Sequence, residues 1–162
     1  MRIRAGRSDD LARVKAIYDH YVLTSHATFD IEPPPLSLWE TWFTDEVAKG
    51  AQLFFVAEVD DVLGWCKTEF FRVKAAYATS RYTTIYCDER ARGRGVGTAL
   101  YERLFDEIGV LGLHRAYAAI ALPNDASIVL HERFGFARVG TYTECGRKFD
   151  RYWDVATYEK PI

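Results

Sequence analysis

Three glycines at alternate positions, between a β-type segment and an amphipathic one, constrain this chain more than any other feature. Residues 82–87 are rich in Thr, Ile and Tyr and predict a strand, and apolar residues recur at helical spacing over 100–108. Gly93, Gly95 and Gly97 would let successive backbone N–H groups turn toward one anion at the start of that helix. The arrangement predicts a phosphate-binding loop, and a flexible surface turn is the alternative.

Two familiar phosphate loops do not match this segment. A P-loop requires a lysine directly after its last glycine, and Thr98 follows Gly97 here. The dinucleotide fingerprint requires a glycine where Thr98 stands. The loop therefore predicts a phosphate ligand of another kind.

Hydrophobic periodicity and turn residues divide the rest of the chain into helices and strands. A helix capped by Ser8, a second opened by a capping box at Ser37 and closed by Gly50, and an irregular arm over 24–35 are predicted. A third helix follows the glycines, and a fourth runs over 127–134. Strands are predicted at 53–59, 62–71, 82–87, 115–122, 136–143 and 151–158. The pattern indicates one mixed α/β domain over residues 1–162.

Composition excludes several functions. The formal net charge of -2 shows no basic face for nucleic acid or an anionic membrane, and no apolar run is long enough to span a bilayer. Cys66, Cys87 and Cys145 form no CxxC, and the four histidines have no metal-ligand spacing. We therefore expect no metal and a cytoplasmic location.

Several motifs, in order along the chain, carry a family resemblance. The stretch Arg92–Gly97 is similar to the R/Q-x-x-G-x-G/A signature of the GCN5-related N-acetyltransferase (GNAT) superfamily. The whole chain resembles one branch of this superfamily, the phosphinothricin and methionine sulfoximine acetyltransferases. The matching segments are Ile17–Tyr21, Thr28–Phe29, Glu32–Pro33, Thr83–Cys87, Leu122–Ser127, Leu130–Glu132, Gly135–Phe136, Arg147–Phe149 and Trp153–Val155.

The resemblance implies a fold, a reaction and a cofactor site. The fold would be α/β (α+β), a mostly antiparallel sheet splayed at the cofactor loop and flanked by about four helices. The reaction would transfer acetyl directly from acetyl-coenzyme A to the primary amine of a small amino-acid-like acceptor. The implied cofactor-binding residues are Ile85, Tyr86, Cys87, Arg92, Gly93, Arg94, Gly95, Val96, Gly97, Thr98 and Asn124.

The catalytic candidates include a departure from the family pattern. Relatives carry a Glu, the presumed base, where this chain has Tyr82, and a neutral phenol is a poor base at pH 7. If the strands around 69 and 82 pair, Glu69 projects into the same cleft; an ordinary surface Glu is the alternative. His131 shares the apolar face of its helix, so it is either a core residue or a proton donor beside the cofactor sulfur.

The resemblance also implies an acceptor site and an assembly. The implied substrate-binding residues are Phe29, Phe71, Arg72, Lys74, Thr83 and Thr84, and Trp65 and Trp153 are further candidates. Core packing and solvated loop charges are the alternatives for these residues. A homodimer is expected. Two other functions remain open at this point: acetylation of a protein Lys or N-terminus, and non-catalytic acyl-coenzyme A binding.

Overall fold

In the computed structural model, which describes residues 1–162, a seven-stranded sheet organises the chain. The strands are β1 (Arg2–Ala5), β2 (Phe54–Glu58), β3 (Val62–Phe70), β4 (Ser80–Cys87), β5 (Arg115–Ala121), β6 (Ala137–Lys148) and β7 (Arg151–Pro161). The helices are α1 (Leu11–Thr24), α2 (Leu36–Trp42), α3 (Val96–Val110) and α4 (Asp125–Arg133). The spatial order is β1-β2-β3-β4-β5-β7-β6, and only the β4–β5 pair is parallel. The predicted fold class is confirmed.

Buried apolar side chains cover both faces of the sheet. On one face α3 packs Leu100, Leu104 and Ile108 against β2 and β3, and each is fully buried. On the other face α1 and α2 form a second core around Trp39 and Trp65. Each fully buried Leu or Ile contributes about 1.5–3 kcal/mol. The two cores place β3 and the second half of β4 between helices on both faces of the sheet.

The N-terminal segment differs from the sequence-based prediction. β1 was not predicted, because two of its four residues are arginines and the alternation is too short to indicate a strand. Ser8 does not cap α1; residues 8–10 form a 3-10 turn, and α1 begins at Leu11. The Asp10 carboxylate accepts hydrogen bonds from both terminal nitrogens of Arg4, at 2.7 and 2.8 Å, and from the Arg7 N–H. A charged contact between strand and turn therefore replaces the expected cap.

Several other boundaries differ from the prediction, those of α2 and β6 among them. α2 begins at Leu36 with Pro35 in the cap position and no side-chain cap, so the capping box at Ser37 does not form. β6 continues to Lys148, five residues beyond its expected end, since it pairs with β7 almost to the turn. Side-chain alternation in β6 is weak because nearly all of its residues are exposed.

The arm between α1 and α2 is fastened to the β6–β7 hairpin. The His26 ring stacks on Trp153 with centroids 3.9 Å apart, and the buried Lys148 Nζ donates to the Thr28 carbonyl at 2.8 Å. Gly146 allows the arm to approach closely, because a Cβ there would lie 2.6 Å from the Phe29 ring. These contacts hold the arm beside the place where β4 and β5 separate.

Candidate active site

β4 and β5 separate after a short parallel contact. They pair at only three positions, from Ser80 with Arg115 to Tyr82 with Tyr117, and then diverge. A cavity of about 260 Å³ lies between them, lined by residues 83–87 of β4, residues 119–121 of β5, and Asn124, Leu130 and His131. We call this cavity the β4–β5 cleft. It leaves the second half of β4 free to pair with an extended ligand.

The glycine loop follows β4 and presents unpaired donors. Gly93 and Gly95 have φ of +72° and +73°, a left-handed conformation that glycine adopts without strain. The N–H groups of Arg92 and Arg94 bond within the turn, to Glu89 and Ala91. Five other N–H groups donate to no backbone carbonyl: those of Gly93, Gly95, Val96, Gly97 and Thr98. Five free N–H groups at the start of a 15-residue helix are an arrangement that can bind an anion.

A network of charged side chains stabilises the turn that leads into this loop. Asp88 caps the turn by accepting the Arg90 N–H at 2.8 Å, and it also binds the guanidinium groups of Arg90 and Arg13. The hydrogen bonds from Arg90, aided by Arg13, hold the pKa of Asp88 well below its usual range. Arg13 in turn donates to the Val62 carbonyl at 3.2 Å. Sequence reasoning missed this network, since its members are far apart in the chain.

The strand residues that the family resemblance assigns to the cofactor line the β4–β5 cleft. The Tyr86 hydroxyl donates to the Ala27 carbonyl at 3.3 Å, and the Cys87 carbonyl accepts from Tyr21 at 2.7 Å. Burial raises the pKa of the Cys87 thiol to about 12, so it is protonated at neutral pH and a poor nucleophile. Asn124 caps α4 by accepting the Ser127 N–H at 3.2 Å.

A second cavity lies on the α1–α2 face of β4. It has a volume of about 390 Å³, and we call it the tryptophan pocket. Its lining residues are Tyr18, Asp30, Pro34, Leu38, Trp39, Trp42, Trp65, Lys67, Glu69, Thr84 and Tyr86. Thr84 and Tyr86 line the β4–β5 cleft as well. The two cavities therefore meet at the part of β4 that is no longer paired with β5.

Glu69 and Tyr82 are direct partners across β3 and β4, which meets the condition set for Glu69 in the sequence analysis, but Glu69 lines the tryptophan pocket and Tyr82 lines neither cavity. Its carboxylate accepts from the Thr84 hydroxyl at 2.7 Å and from Lys67 Nζ at 3.1 Å. The Tyr82 ring packs beside Phe71, with centroids 5.3 Å apart, and burial raises its pKa. A phenol with a raised pKa is still less able to accept a proton at pH 7.

His131 is a buried residue with both ring nitrogens engaged. Nδ1 lies 2.7 Å from the Ser127 carbonyl, which can only accept, so Nδ1 carries the proton. Nε2 lies 2.8 Å from the Tyr101 hydroxyl and accepts from it. Burial lowers the pKa of His131 and keeps the ring neutral. This arrangement leaves no free proton at Nε2, and it favours the core-residue alternative over proton donation.

Most of the proposed acceptor residues lie outside both cavities. Phe71 stacks on Tyr117 with centroids 4.2 Å apart, and the Arg72 guanidinium lies 5.1 Å from the Phe71 ring. Lys74 is exposed, and Phe29 packs on Gly146. Thr83 faces α3 and lines only the β4–β5 cleft, whereas Thr84 lines both cavities.

Five polar or aromatic residues of the tryptophan pocket were missed by sequence reasoning. They are Tyr18, Asp30, Trp39, Trp42 and Lys67. Alternation along β3 places Lys67 and Glu69 on one face, and that pattern alone could have paired them. The pocket itself depends on how α2 packs, which the sequence does not show.

Comparison with known proteins gives a consistent family. Residues 3–157 match the model of the acetyltransferase (GNAT) domain. The chain is 46% identical to a phosphinothricin N-acetyltransferase of Streptomyces coelicolor, over 100% of this chain and 96% of that protein. It is 30% identical to an L-methionine sulfoximine/L-methionine sulfone acetyltransferase of Pseudomonas aeruginosa, over 94% of this chain and 90% of that one.

Comparison with solved structures supports the same family. A phosphinothricin acetyltransferase of Sinorhizobium meliloti, solved in complex with AcCoA, superposes with a TM-score of 0.94 at 29% identity, over 99% of this chain and 88% of that one. None of the helices combines the length and apolar character needed to cross a bilayer. No three His, Cys, Asp or Glu side chains lie close enough together to hold a metal ion.

Proposed function

The chain belongs to the GNAT acetyltransferase family, and from that premise we propose that it acetylates the primary amine of a small amino-acid-like molecule. The observation that carries the proposal is that the β4–β5 cleft and the tryptophan pocket meet at Thr84 and Tyr86. Acetyl-coenzyme A would bind in the cleft and the acceptor in the pocket. The phosphinothricin and methionine sulfoximine acetyltransferases among its relatives support this class of acceptor.

The residues present fit acetyl-coenzyme A. The five free N–H groups of the glycine loop would bind its pyrophosphate, and the helix α3 dipole favours that negative charge. The unpaired part of β4, at Ile85–Cys87, would bond to the pantetheine arm. Acetyl-coenzyme A supplies the thioester that the amine attacks, and coenzyme A leaves as the thiol or thiolate.

The chemical difficulty is the acceptor proton. Aliphatic ammonium groups have pKa values near 10, so at neutral pH one proton must be removed before the nitrogen can attack. We propose that Glu69 accepts this proton, directly or through a water, because it is the carboxylate nearest Thr84, where the cavities meet. The nitrogen then attacks the carbonyl carbon, and the C–S bond breaks without an acyl-enzyme.

A pair of substitutions tests the base. Glu69→Gln is expected to lower kcat by about 10²- to 10⁴-fold with acetyl-coenzyme A affinity unchanged, and to regain activity at high pH. Glu102→Gln, on the exposed side of α3, is the matched control and should match the wild type. A mild defect in Glu69→Gln together with a large one in Tyr82→Phe would instead indicate that Tyr82 orients a relay water. Full activity in both variants would contradict both mechanisms.

An acceptor panel tests the function itself. With acetyl-coenzyme A, the protein is expected to acetylate methionine sulfone or phosphinothricin and to leave lysine-containing peptides unmodified. Acetylation of peptides alone would indicate a protein acetyltransferase. Acetyl-coenzyme A binding with no turnover on any amine would indicate a non-catalytic binding module.

We also propose a homodimer in the cytoplasm. The β6–β7 hairpin exposes Val139, Tyr142, Phe149 and Tyr152, each more than half accessible, and β6 is a 12-residue edge strand. Such an edge is a favourable surface for pairing with a second chain. The three free cysteines are compatible with a reducing compartment. A monomer by light scattering at micromolar concentration would contradict the dimer.

A further inference from the structure

We propose that a third cavity, at the end of α3 away from the glycine loop, binds a small monocarboxylate with an apolar body. The cavity has a volume of about 420 Å³ and lies between the loop before β2 (50–53), the adjoining ends of β3 and β4, and the α3–β5 turn (111–113). We call it the distal cavity. It shares no lining residue with the β4–β5 cleft or the tryptophan pocket, and the 15-residue helix between it and the glycine loop is about 22 Å long. The inference goes beyond acetyl transfer and does not depend on it.

A single arginine is the only charged residue that lines the distal cavity. Arg81 Nη1 donates to the carbonyls of Ala78 and Ser80, at 2.7 and 2.9 Å, and the guanidinium lies 4.6 Å from the centroid of the Phe70 ring. Its Nε and Nη2 donate to no group of the protein. Burial lowers the pKa of this half-buried side chain, and no carboxylate opposes that effect. An anion bound in the cavity would relieve the cost of the unpaired charge.

The free edge of the Arg81 guanidinium has the geometry that binds a carboxylate. Nε and Nη2 lie on the same edge of the planar group, so they can donate two parallel hydrogen bonds to the two oxygens of one carboxylate. The carbonyl partners of Nη1 and the Phe70 ring fix the plane of the group before a ligand binds. One cation matches one negative charge, and the partial negative charge at the C-terminal end of α3 disfavours a second one. The site therefore favours a monocarboxylate over a phosphate or a dicarboxylate.

Three further donors belong to residues of the distal cavity and have no partner in the protein. Gly112 has φ of +65°, and the N–H groups of Gly112 and Leu113 donate to no carbonyl or side chain. Thr68 is only 2% exposed; its hydroxyl oxygen accepts from the Leu53 N–H at 2.9 Å, and its own proton has no acceptor. A buried donor without a partner costs free energy. Oxygen atoms of a ligand would satisfy these groups.

The other walls of the distal cavity are largely apolar. The large apolar side chains among them are those of Leu53, Phe70, Leu111 and Leu113. The polar side chain of Gln52 is already bonded to Trp42 and to Glu46, and Glu46 does not line the cavity. An apolar ligand body would cover Phe70 and Leu111, which are 44% and 56% exposed, and would remove their surface from water. The site therefore combines a binding edge for a carboxylate with a surface for an aromatic or branched aliphatic body.

Three small ligands test the charge and the apolar body separately. Phenylacetate has both, phenylacetamide keeps the shape without the charge, and acetate keeps the charge without the body. In an NMR titration of the isotope-labelled protein, with coenzyme A present to occupy the β4–β5 cleft, we expect phenylacetate to bind with a Kd of about 1 mM. It should shift the amide signals of Gly112 and Leu113. Phenylacetamide and acetate should each bind at least about tenfold more weakly.

Two pairs of variants test the residues of the distal cavity. Arg81→Met removes the charge and should weaken phenylacetate binding at least about tenfold. Arg151→Met is its control, because Arg151 also lies over an aromatic ring, 4.4 Å from the centroid of Trp153, but outside this cavity. Leu111→Glu adds a carboxylate to the cavity wall at an exposed position and should also weaken binding at least about tenfold, since like charges repel. Leu111→Gln, with the same shape and no charge, should change the Kd by no more than about threefold.

Several outcomes would overturn the inference. Equal affinities for phenylacetate and phenylacetamide, or wild-type affinity in Arg81→Met, would show that Arg81 does not bind a carboxylate. Amide shifts confined to residues 93–98 would place the ligand at the glycine loop instead. If the wild type does not bind phenylacetate and Leu111→Glu turns a dimer into a monomer in light scattering, the cavity is an interface between two copies of the chain. None of these measurements requires turnover, so this inference and the proposed function can fail separately.

Discussion

Replacing Gly95 with valine distinguishes two effects: the loss of stability from the left-handed backbone conformation, and the loss of affinity for acetyl-coenzyme A. Gly95 has φ of +73°, and a Cβ built there has no heavy atom within 4 Å. The substitution therefore meets no steric clash in the free protein. It costs only the left-handed conformation, about 1–2 kcal/mol, which corresponds to a fall in Tm of roughly 2–8 °C for a chain of this length.

The loss of cofactor affinity should be larger. The valine side chain, together with relaxation of the turn, would displace the N–H groups of Gly95 and Val96 from the pyrophosphate. Each charge-assisted hydrogen bond contributes about 1.5–3 kcal/mol, so losing two weakens acetyl-coenzyme A binding by roughly 10²- to 10⁴-fold. Titration calorimetry with acetyl-coenzyme A measures this directly.

Gly50 provides the matched control. Its φ is +74°, and a Cβ there also meets nothing within 4 Å. Gly50 precedes β2, at the end of the sheet opposite the loop. Gly50→Val should therefore lower Tm as Gly95→Val does but bind acetyl-coenzyme A normally. If Gly95→Val lowered Tm and kept wild-type affinity, the assignment of the loop to the pyrophosphate would be refuted.

Two further predictions concern buried polar groups. His131→Phe removes one of the two side-chain partners of the Tyr101 hydroxyl, the other being Thr83, and the ring donor to the Ser127 carbonyl. We expect the free energy of unfolding in urea to fall by about 1–3 kcal/mol while kcat changes by less than about tenfold. A 100-fold fall in kcat at unchanged stability would show that His131 donates a proton. Burial alone would raise the pKa of Asp10, but the hydrogen bonds from Arg4 outweigh it and lower the pKa below the unfolded value of 3.8. Its contribution is therefore present above that pH and is lost as pH falls through the lower folded pKa. Asp10→Asn should lower the free energy of unfolding by only about 1–2 kcal/mol at pH 7, because solvent partly screens the ion pair. In acid unfolding curves the difference from wild type should shrink below pH 4. A difference that stays constant with pH would contradict the ion pair.

Features that depend on local backbone chemistry could be predicted from the sequence. Alternating glycines before an amphipathic helix indicated the left-handed turns at Gly93 and Gly95, because that conformation is a property of the residue itself. The sequence analysis left the pairing of the strands around Glu69 and Tyr82 as a condition, and the structure shows the two residues directly opposite each other. Family resemblance added the separation of β4 from β5, which no local pattern indicates.

Features that depend on distant packing could not be predicted. Lys67 looks like an ordinary polar residue of an alternating strand, and its place in a pocket depends on Trp42 from α2. The helix periodicity showed that His131 faces the core, but its neutral state follows from Tyr101 on another helix. Arg72 was expected at the acceptor, and its guanidinium instead lies over the rings of Phe71 and Tyr77.

In the proposed mechanism, two cavities that meet on β4 bring acetyl-coenzyme A and an amino acid together for direct transfer. Initial rates measured over a matrix of acetyl-coenzyme A and methionine sulfone concentrations test it most directly. Because both substrates must be bound at once, the double-reciprocal lines should intersect. Parallel lines, which indicate an acetylated enzyme intermediate, would contradict the account.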